Sequence, residues 1–208
     1  MKLAGMPITS YLDLLGSDAP APGGGSASAL CGAQGAALTA MVAGLTVGKK
    51  KYAEYQELCA EIRKKALALK DELTLQADTD AEAFNLVAAA FKLPKETEQE
   101  KSVRSKAISD ATAVATQVPL QTMKLCAEAL YLAKSLVGRS NVNAASDLGV
   151  AALNLLTAIK GAWLNVLINL GGLSDEDMAK AFFKEGEEIV ASAQKSAEEI
   201  YNAILEAL

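Results

Sequence analysis

The groups available for proton transfer are limited, because the 208-residue sequence contains no histidine. Histidine is the side chain most often used as an acid or base near neutral pH, so aspartate, glutamate, lysine, tyrosine or cysteine must take that role here. The same absence excludes a histidine-ligated metal and a Ser-His-Asp triad. Among these groups, two aspartates, Asp147 and Asp80, are the candidates considered first.

One candidate pair is Asn143 and Asp147, which are four residues apart and share a helix face at the start of an apolar segment. A carboxylate beside a neutral amide in a partly buried groove could activate water and orient a polar ring. A structural role is the alternative. In that case Ser140 or Asn143 caps the helix and Asp147 is an ordinary first-turn acid.

A second group, Asp78, Asp80 and Glu82, lies within one long predicted helix. Asp80 is nearest in helical register to Phe84, which makes it the candidate for an inward-facing acid. The face that holds Asp78 and Glu82 is expected to be solvated.

Three further features could bind a ligand rather than react with it. The segment Pro22-Gly23-Gly24-Gly25-Ser26 exposes backbone N–H groups at the mouth of a helix, although a flexible turn before a tightly packed helix would have the same sequence. Lys49, Lys50 and Lys51 could hold a substrate carboxylate or simply complement a helix dipole. Asn165 and Asn169 lie four apart in a very apolar helix, where a buried amide must find partners.

Helices are expected to position all of these residues. Hydrophobic residues make up 51% of the chain but aromatic residues only 5%, and the abundant alanine favours close-packed helices over sheets. We expect an all-α, elongated up-and-down bundle of long helices in a single domain over residues 1–208. The predicted helices cover about 9–15, 24–47, 52–91, 97–136, 144–170 and 174 to the end, with the fourth kinked or divided near Pro119.

Three side chains are predicted to cap helices. Thr97 with Glu100 has the spacing of a capping box, while Thr9 and Ser174 precede the first and last predicted helices.

Composition also limits the partners and the compartment. The net charge of −5 disfavours nucleic-acid binding. The uncharged stretch at 26–48 is too weakly hydrophobic to predict a membrane span, and 150–173 contains polar side chains that would be costly in lipid. With three widely spaced cysteines and no secretion signal, we expect a cytoplasmic protein without a membrane partner.

Taken together and in order, several short segments resemble the cyclodeaminase/cyclohydrolase family over nearly the whole chain. They are the glycine segment at 22–26, Gly32-Ala33-Gln34-Gly35-Ala36-Ala37-Leu38, Met41-Val42, Thr46-Val47-Gly48-Lys49-Lys50-Lys51-Tyr52, Asp78-Thr79-Asp80-Ala81-Glu82-Ala83-Phe84, Leu93-Pro94-Lys95-Glu96-Thr97, Val118-Pro119-Leu120, Asn141-Val142-Asn143-Ala144-Ala145-Ser146-Asp147 and Asn165-Val166-Leu167-Ile168-Asn169-Leu170.

The resemblance implies an α-helical homodimer with a folate groove near the glycine segment. Members catalyse one of two reactions: hydrolysis of 5,10-methenyltetrahydrofolate to 10-formyltetrahydrofolate, or ring closure of 5-formiminotetrahydrofolate with loss of ammonia. Both pass through a tetrahedral carbon between N5 and N10. A tetrahydrofolate derivative is thus the expected substrate, with no tightly bound cofactor and no metal.

On this resemblance, Asp147 is the principal acid/base candidate, Asp80 is the second, and Asn143 orients the pterin or the bridge. The expected binding residues are Pro22, Gly23, Gly24, Gly25, Ser26, Lys49, Lys50 and Asn169. Without an attached formiminotransferase domain, the cyclohydrolase is preferred and the cyclodeaminase is the alternative. A non-catalytic folate-binding or dimerisation module is a third interpretation, and a dinucleotide-dependent dehydrogenase fits poorly because no fingerprint follows a strand.

Overall fold

The computed structural model of this protein describes residues 2–208, and every regular element in that range is helical. Short 3₁₀ segments cover Leu3–Gly5, Lys50–Tyr55 and Val142–Ala144. The six α-helices are α1 (Ile8–Leu15), α2 (Gly24–Gly44), α3 (Gln56–Phe91), α4 (Glu98–Ser135), α5 (Ala145–Leu170) and α6 (Glu176–Ala207). The all-α prediction is confirmed.

Helices α2 to α6 form an up-and-down bundle. Short connections join consecutive helices, so each runs antiparallel to the one before it. The α2 helix packs against α3, α4 and α5, and α6 covers α4 and α5. One hydrophobic core extends through these five helices. The division of the whole chain into domains stays a prediction.

Close packing around α2 depends on its glycines. A Cβ atom added at Gly32 would lie within 3.4 Å of Cys126 on α4, Ala158 on α5 and Leu73 on α3. Three helices therefore converge on a backbone that carries no side chain at this point. This lets a helix of mostly small residues occupy the centre of the bundle.

Two of the predicted caps need correction. The capping box is confirmed: the Glu100 N–H donates to Thr97 Oγ1 at 3.2 Å, and the Thr97 N–H donates to the Glu100 carboxylate at 2.9 Å. The final helix is capped by Asp175, not Ser174, because the Asp175 carboxylate accepts hydrogen bonds from the N–H groups of Asp177 and Met178. Thr9 lies inside α1, which begins at Ile8 after Pro7 without a side-chain cap.

Three predicted boundaries also change. The α2 helix ends at Gly44 rather than near Val47, and the chain passes through the 3₁₀ segment Lys50–Tyr55 before α3 begins at Gln56. The α4 helix is not divided at Pro119. That proline is buried, so its packing offsets the backbone hydrogen bond that its ring removes.

Two helical segments are long and apolar enough to cross a membrane, namely Gly24–Gly44 and Val142–Leu170. Burial inside the bundle covers 56% of the most apolar window in the first segment and 39% in the second. Core helices of bundles commonly have this composition, so length and hydropathy alone do not assign a membrane span. The absence of a membrane partner stays a prediction.

Replacing Gly35 with alanine tests the close approach of α2 and α5. The new Cβ would lie 2.6 Å from Leu155 Cγ and 3.0 Å from the Ala151 carbonyl oxygen. Because the Ala151 oxygen belongs to the backbone of α5, relieving this contact requires the helix itself to shift. We expect Gly35→Ala to lower the free energy of unfolding by about 1–2 kcal/mol in urea titrations.

Gly149→Ala is the matched control, since its Cβ would meet only Ile204 at 3.5 Å. It should be neutral or should stabilise by roughly 0.5–1 kcal/mol through helix propensity. Equal stability changes in the two variants would contradict the packing described for Gly35.

Candidate functional site

A cleft of 330 Å³ opens where the N-terminus of α2 meets α3, α4 and the C-terminal part of α5. Its size lies within the range of small-molecule sites. Among the described residues that line it, Asp80 is the one with an ionisable side chain. The lining comprises Pro20, Ala21, Gly23, Gly24, Gly25, Asp80, Ala83, Phe84, Val87, Ala115, Asn165, Ile168 and Asn169.

The Asp80 carboxylate packs directly against the first turn of α2. Ser26 Oγ lies 2.8 Å from the Ala77 carbonyl oxygen and 3.1 Å from Asp80 Oδ2, so its hydroxyl can donate to either one. A Cβ atom at Gly25 would lie only 2.0 Å from Asp80 Oδ1. The carboxylate thus occupies the space that a side chain at position 25 would need.

Two opposing effects act on the charge of Asp80. Burial raises the pKa of its carboxyl group above the ordinary value, while hydrogen bonds from the Ser26 side chain and backbone lower it in part. The positive end of α2 also favours the anion. Burial is the larger effect, so the carboxyl group holds its proton to a higher pH than a solvated aspartate.

The remaining walls of the cleft are apolar or carry neutral amides. Asn165 Nδ2 donates to the Gly161 carbonyl at 2.8 Å, and Asn169 Nδ2 donates to the Ala115 carbonyl on α4 at 2.8 Å. These bonds fix both side chains, so their amide groups are held at the cleft. Phe84 and Ile168 remain substantially exposed and offer flat and aliphatic surface to a ligand.

Several of the predicted site residues meet at this cleft. Gly23, Gly24, Gly25, Asp80 and Asn169 line it. Ser26 and Pro22 do not line it, but Ser26 contacts Asp80 and Pro22 is buried at the base of the glycine segment.

A second group of predicted residues lies elsewhere. Asp147 is in the first turn of α5, and the 18 residues from it to Asn165 span about 27 Å of helix. Lys49 and Lys50 are exposed beyond the C-terminus of α2. Within one chain, Asp147, Lys49 and Lys50, together with Asn143, do not approach the cleft. These four residues are called the far group below.

Asn141 holds the far group in place. Its backbone N–H donates to Thr46 Oγ1 at 2.9 Å, and its side chain accepts from the Asn143 N–H at 3.2 Å. Asn141, rather than Ser140 or Asn143, therefore caps the short 3₁₀ turn before α5. Asn143 itself is exposed.

The prediction that Asp78 is solvated is wrong. Its side chain is buried and accepts a hydrogen bond from the Leu3 N–H, which fastens the N-terminal segment to α3. Glu82, on the same predicted face, is exposed as expected. The sequence could not show that a residue 75 positions away covers Asp78.

Other residues of the site had no signal in the sequence. Ala115 reaches the cleft from α4, and Ala21, Val87 and Ile168 complete the apolar wall. Small and aliphatic residues are common throughout a helical bundle, so only the packing of the helices identifies these four as lining residues.

Comparisons with known proteins agree with this geometry. A profile of the family described as formiminotransferase-cyclodeaminase matches residues 7–188. The chain belongs to this family. The match includes the glycine segment, Asp80, the far group and Asn169, so both groups of predicted residues lie within the family's own region.

Relatives of this chain within the formiminotransferase-cyclodeaminase family differ in length and in name. The chain is 42% identical over 197 residues to a methenyltetrahydrofolate cyclohydrolase of Methylorubrum extorquens, covering 95% of both chains. It is 36% identical to the formimidoyltransferase-cyclodeaminase of Dictyostelium discoideum, covering 95% of this chain but only 36% of that larger protein.

A solved structure supports the fold over the full length. The crystal structure of formiminotetrahydrofolate cyclodeaminase from Thermotoga maritima superposes with a TM-score of 0.89, at 27% sequence identity. The alignment covers 99% of this chain and 98% of that one. Since these relatives are named as folate enzymes, the predicted family and the predicted enzyme class are both confirmed.

The buried carboxylate should make stability depend on pH. A native carboxyl group with a raised pKa binds its proton more tightly than the unfolded chain does, so Asp80 contributes less stability as pH rises from 3.8 through the raised native value. We expect the stability of Asp80→Asn relative to the wild type to increase across that interval, as measured by urea unfolding at a series of pH values.

The internal control is the difference between the two proteins well below pH 3.8, where the carboxyl group is protonated in both the folded and unfolded states. That difference should be constant. A difference that falls as pH rises would show that the carboxylate is better stabilised in the fold than in water.

Proposed function

We propose that this protein hydrolyses 5,10-methenyltetrahydrofolate to 10-formyltetrahydrofolate. The observation that carries the proposal is the Asp80 carboxylate, held at the base of an otherwise uncharged cleft. Ring closure of 5-formiminotetrahydrofolate with loss of ammonia is the second candidate, and it is favoured by the structural match to the T. maritima protein of that name.

The charge and pKa of Asp80 suit a reaction at a cationic carbon. The methenyl bridge is an amidinium-like cation, which an anionic carboxylate complements. In the proposed mechanism Asp80 takes a proton from water as the oxygen bonds to the bridge carbon. It then returns that proton to ring nitrogen N5 as the carbon–N5 bond breaks. The bridge hydroxyl loses its own proton to solvent and becomes the formyl oxygen, so the overall reaction of the cation with water releases one proton. A carboxyl group with a raised pKa is better matched to such proton transfer near neutral pH.

The rest of the cleft is suited to holding the folate rings. Phe84, Val87 and Ile168 present apolar surface on which flat rings can pack. The amides of Asn165 and Asn169 and the backbone of the glycine segment supply neutral polar groups for the pterin edge. Because Gly23 has no neighbour within 4 Å of its missing Cβ, a ring can approach the backbone closely there.

Geometry favours Asp80 over Asp147 as the principal acid/base. Asp80 shares the cleft with the glycine segment and Asn169, whereas Asp147 is about 27 Å along α5 from Asn165. We therefore reverse the order expected from sequence. Asp147 and Asn143 remain candidates for binding the distal part of the substrate.

Similarity to named relatives favours hydrolysis over deamination. The M. extorquens protein named as a cyclohydrolase matches at 42% identity over 95% of both chains. The identity is 36% for the formimidoyltransferase-cyclodeaminase of D. discoideum and 27% for the T. maritima cyclodeaminase. The two reactions share the tetrahedral bridge and differ in whether OH or NH2 is carried on it. The same cleft can therefore accommodate either reaction.

The test follows the methenyl absorbance with purified protein and, separately, measures ammonia released from the formimino substrate. Activity in the first assay alone supports the cyclohydrolase, and activity in the second alone supports the cyclodeaminase. Failure of both reactions would overturn the enzymatic proposal and favour a folate-binding module.

Asp80→Asn should lower kcat by roughly 10²–10⁴ with folate affinity largely retained, because the variant keeps the shape of the side chain and loses the proton acceptor. The measurement combines steady-state kinetics with direct folate binding. Asp147→Asn is the matched comparison and should keep kcat within a few-fold of the wild type. The opposite ranking of the two variants would restore Asp147 as the principal acid/base.

We also propose that the protein is a homodimer that pairs through α2 and α5. Apolar side chains on or next to these helices remain exposed in the single chain, including Met41 near the end of α2, Leu45 just after it, and Leu153 and Leu164 on α5. Exposed apolar side chains of this kind are available for a protein interface. If two copies of α2 pair antiparallel, the lysines beyond one helix end lie near the glycine segment of the other copy, where they could meet the substrate's glutamate tail.

Met41→Glu places a charge among the exposed apolar side chains of α2 and should convert the dimer to a monomer with reduced activity. Light scattering after size exclusion measures the mass, and turnover is assayed on the same sample. Val103→Glu is the control, because Val103 is also exposed but lies near the start of α4. A Met41→Glu monomer with full activity would show that the site is complete in one chain.

A cytoplasmic location and the absence of a tightly bound cofactor remain part of the proposal. The three cysteines are free thiols, which supports a reducing compartment. The reaction proposed for Asp80 needs water and a folate substrate alone.

A further inference from the structure

Pro119 deprives one backbone carbonyl of α4 of its usual partner. In an α-helix each N–H donates to the carbonyl four residues earlier, and proline has no N–H. Since Pro119 lies inside α4, the carbonyl that loses its donor is that of Ala115. Backbone carbonyls within a folded protein are rarely left unpaired, so another donor is expected at Ala115.

Asn169 on α5 supplies the missing donor. Its Nδ2 lies 2.8 Å from the Ala115 carbonyl oxygen, although the two residues are 54 positions apart in the chain. Asn165, one turn earlier on α5, donates instead to Gly161, four positions before it in the same helix. Asn169 bonds across to α4 rather than along its own helix, and the carbonyl it reaches is the one that Pro119 has freed.

This bond also determines which end of the Asn169 amide is left for the cleft. A carbonyl oxygen can only accept, so the group that faces Ala115 must be the NH2 end of the side chain. The amide oxygen Oδ1 accepts no hydrogen bond from the described residues and is not sealed from solvent. Because Ala115 and Asn169 both line the cleft, this free oxygen is held where a ligand can reach it.

We propose that Pro119 is a positioning residue, which orients Asn169 so that its amide oxygen accepts a hydrogen bond from an N–H group of the pterin ring. The inference deepens the proposed function and rests on it, because the ligand is a tetrahydrofolate. The pterin ring carries N–H donors at N3 and on its 2-amino group, which match an amide oxygen and would oppose an amide NH2. Pro119 acts through Ala115 and Asn169 and does not itself line the cleft.

Restoring an N–H at position 119 would create a competitor for the Ala115 carbonyl. In Pro119→Ala the new backbone donor belongs to the same helix and is aligned with that carbonyl by the helix geometry. Asn169 can reach the carbonyl only by ordering a side chain, which costs entropy. The amide of Asn169 is then free to rotate, and its oxygen is no longer held towards the ligand.

Nitrogen-15 NMR of the ligand-free protein tests this competition directly. The side-chain NH2 signals of Asn169 are assigned by their loss in Asn169→Ala. We expect the protection of the bonded Nδ2 hydrogen from solvent exchange to fall roughly three- to ten-fold in Pro119→Ala, while the new N–H at position 119 is protected. Unchanged protection of Asn169 would overturn the proposal.

Kinetics and direct binding test the consequence for the ligand. Pro119→Ala should raise both KM for 5,10-methenyltetrahydrofolate and Kd for tetrahydrofolate roughly three- to ten-fold, as expected for one hydrogen bond, with kcat little changed. Asn169→Ala should weaken binding similarly, and adding Pro119→Ala to it should cause no further loss, since both act through one amide oxygen. Additive losses, or an altered Asn169 signal with unchanged affinity, would overturn the proposal.

Val118→Ala is the matched control, because Val118 is buried beside Pro119 and the change removes the same number of carbon atoms. The backbone N–H at position 118 is present before and after the change, so the hydrogen bonding of Ala115 is unaltered. This variant should be less stable, with Asn169 protection and KM as in the wild type. An equal loss of Asn169 protection in Val118→Ala would show that packing is responsible and would overturn the role of Pro119.

The NMR and binding measurements need no turnover, so they separate this inference from the proposed function. If the wild type bound tetrahydrofolate but catalysed neither reaction, the proposed function would fail, and the Pro119→Ala results would still decide the positioning role. A wild type that bound no tetrahydrofolate would overturn both proposals.

Discussion

The contact between the Asp80 carboxylate and the first turn of α2 is the interaction on which the site depends. The α2 helix begins without a side-chain cap and without an acid in its first turn, so its free N–H groups and positive end need a partner from elsewhere. Asp80 on α3 provides it. The same contact buries the carboxylate at the cleft, so one requirement of the fold also raises the pKa in the direction that the proposed chemistry needs.

This contact requires α2 and α3 to lie close together, and the small residues of α2 make that possible. A conventional amphipathic helix has one face in the core and one in solvent. The α2 helix instead carries small side chains on most of its surface, and it packs against α3, α4 and α5. Its position in the centre of the bundle follows from the missing side-chain volume. The N-terminal turn of α2 is thereby held firmly beside the Asp80 carboxylate.

Much of the fold could be predicted from sequence, because helix periodicity and the Thr97–Glu100 capping box are local signals. The errors occur where a local signal had two equivalent interpretations. Ser174 and Asp175 are both good capping residues, and only the backbone conformation selects Asp175. Pro119 commonly breaks helices, but packing in the core keeps α4 continuous here.

The site was harder to predict, since it combines residues from four helices. The sequence identified Asp80, the glycine segment and Asn169, and it placed Asp147 and Asn169 at opposite ends of one helix. It could not show which end of that helix packs beside Asp80.

The residue at position 80 also limits which substitutions position 25 can accept as members of the family diverge. Any side chain at position 25 would occupy the volume of the carboxylate, and a longer acid at position 80 would strike the α2 backbone. Position 25 cannot gain a side chain alone without moving a helix, whereas a simultaneous exchange to a small residue at 80 and a larger one at 25 would fill the same space. The two positions should therefore covary among relatives, and a member that had made the exchange would have kept the bundle while losing its acid.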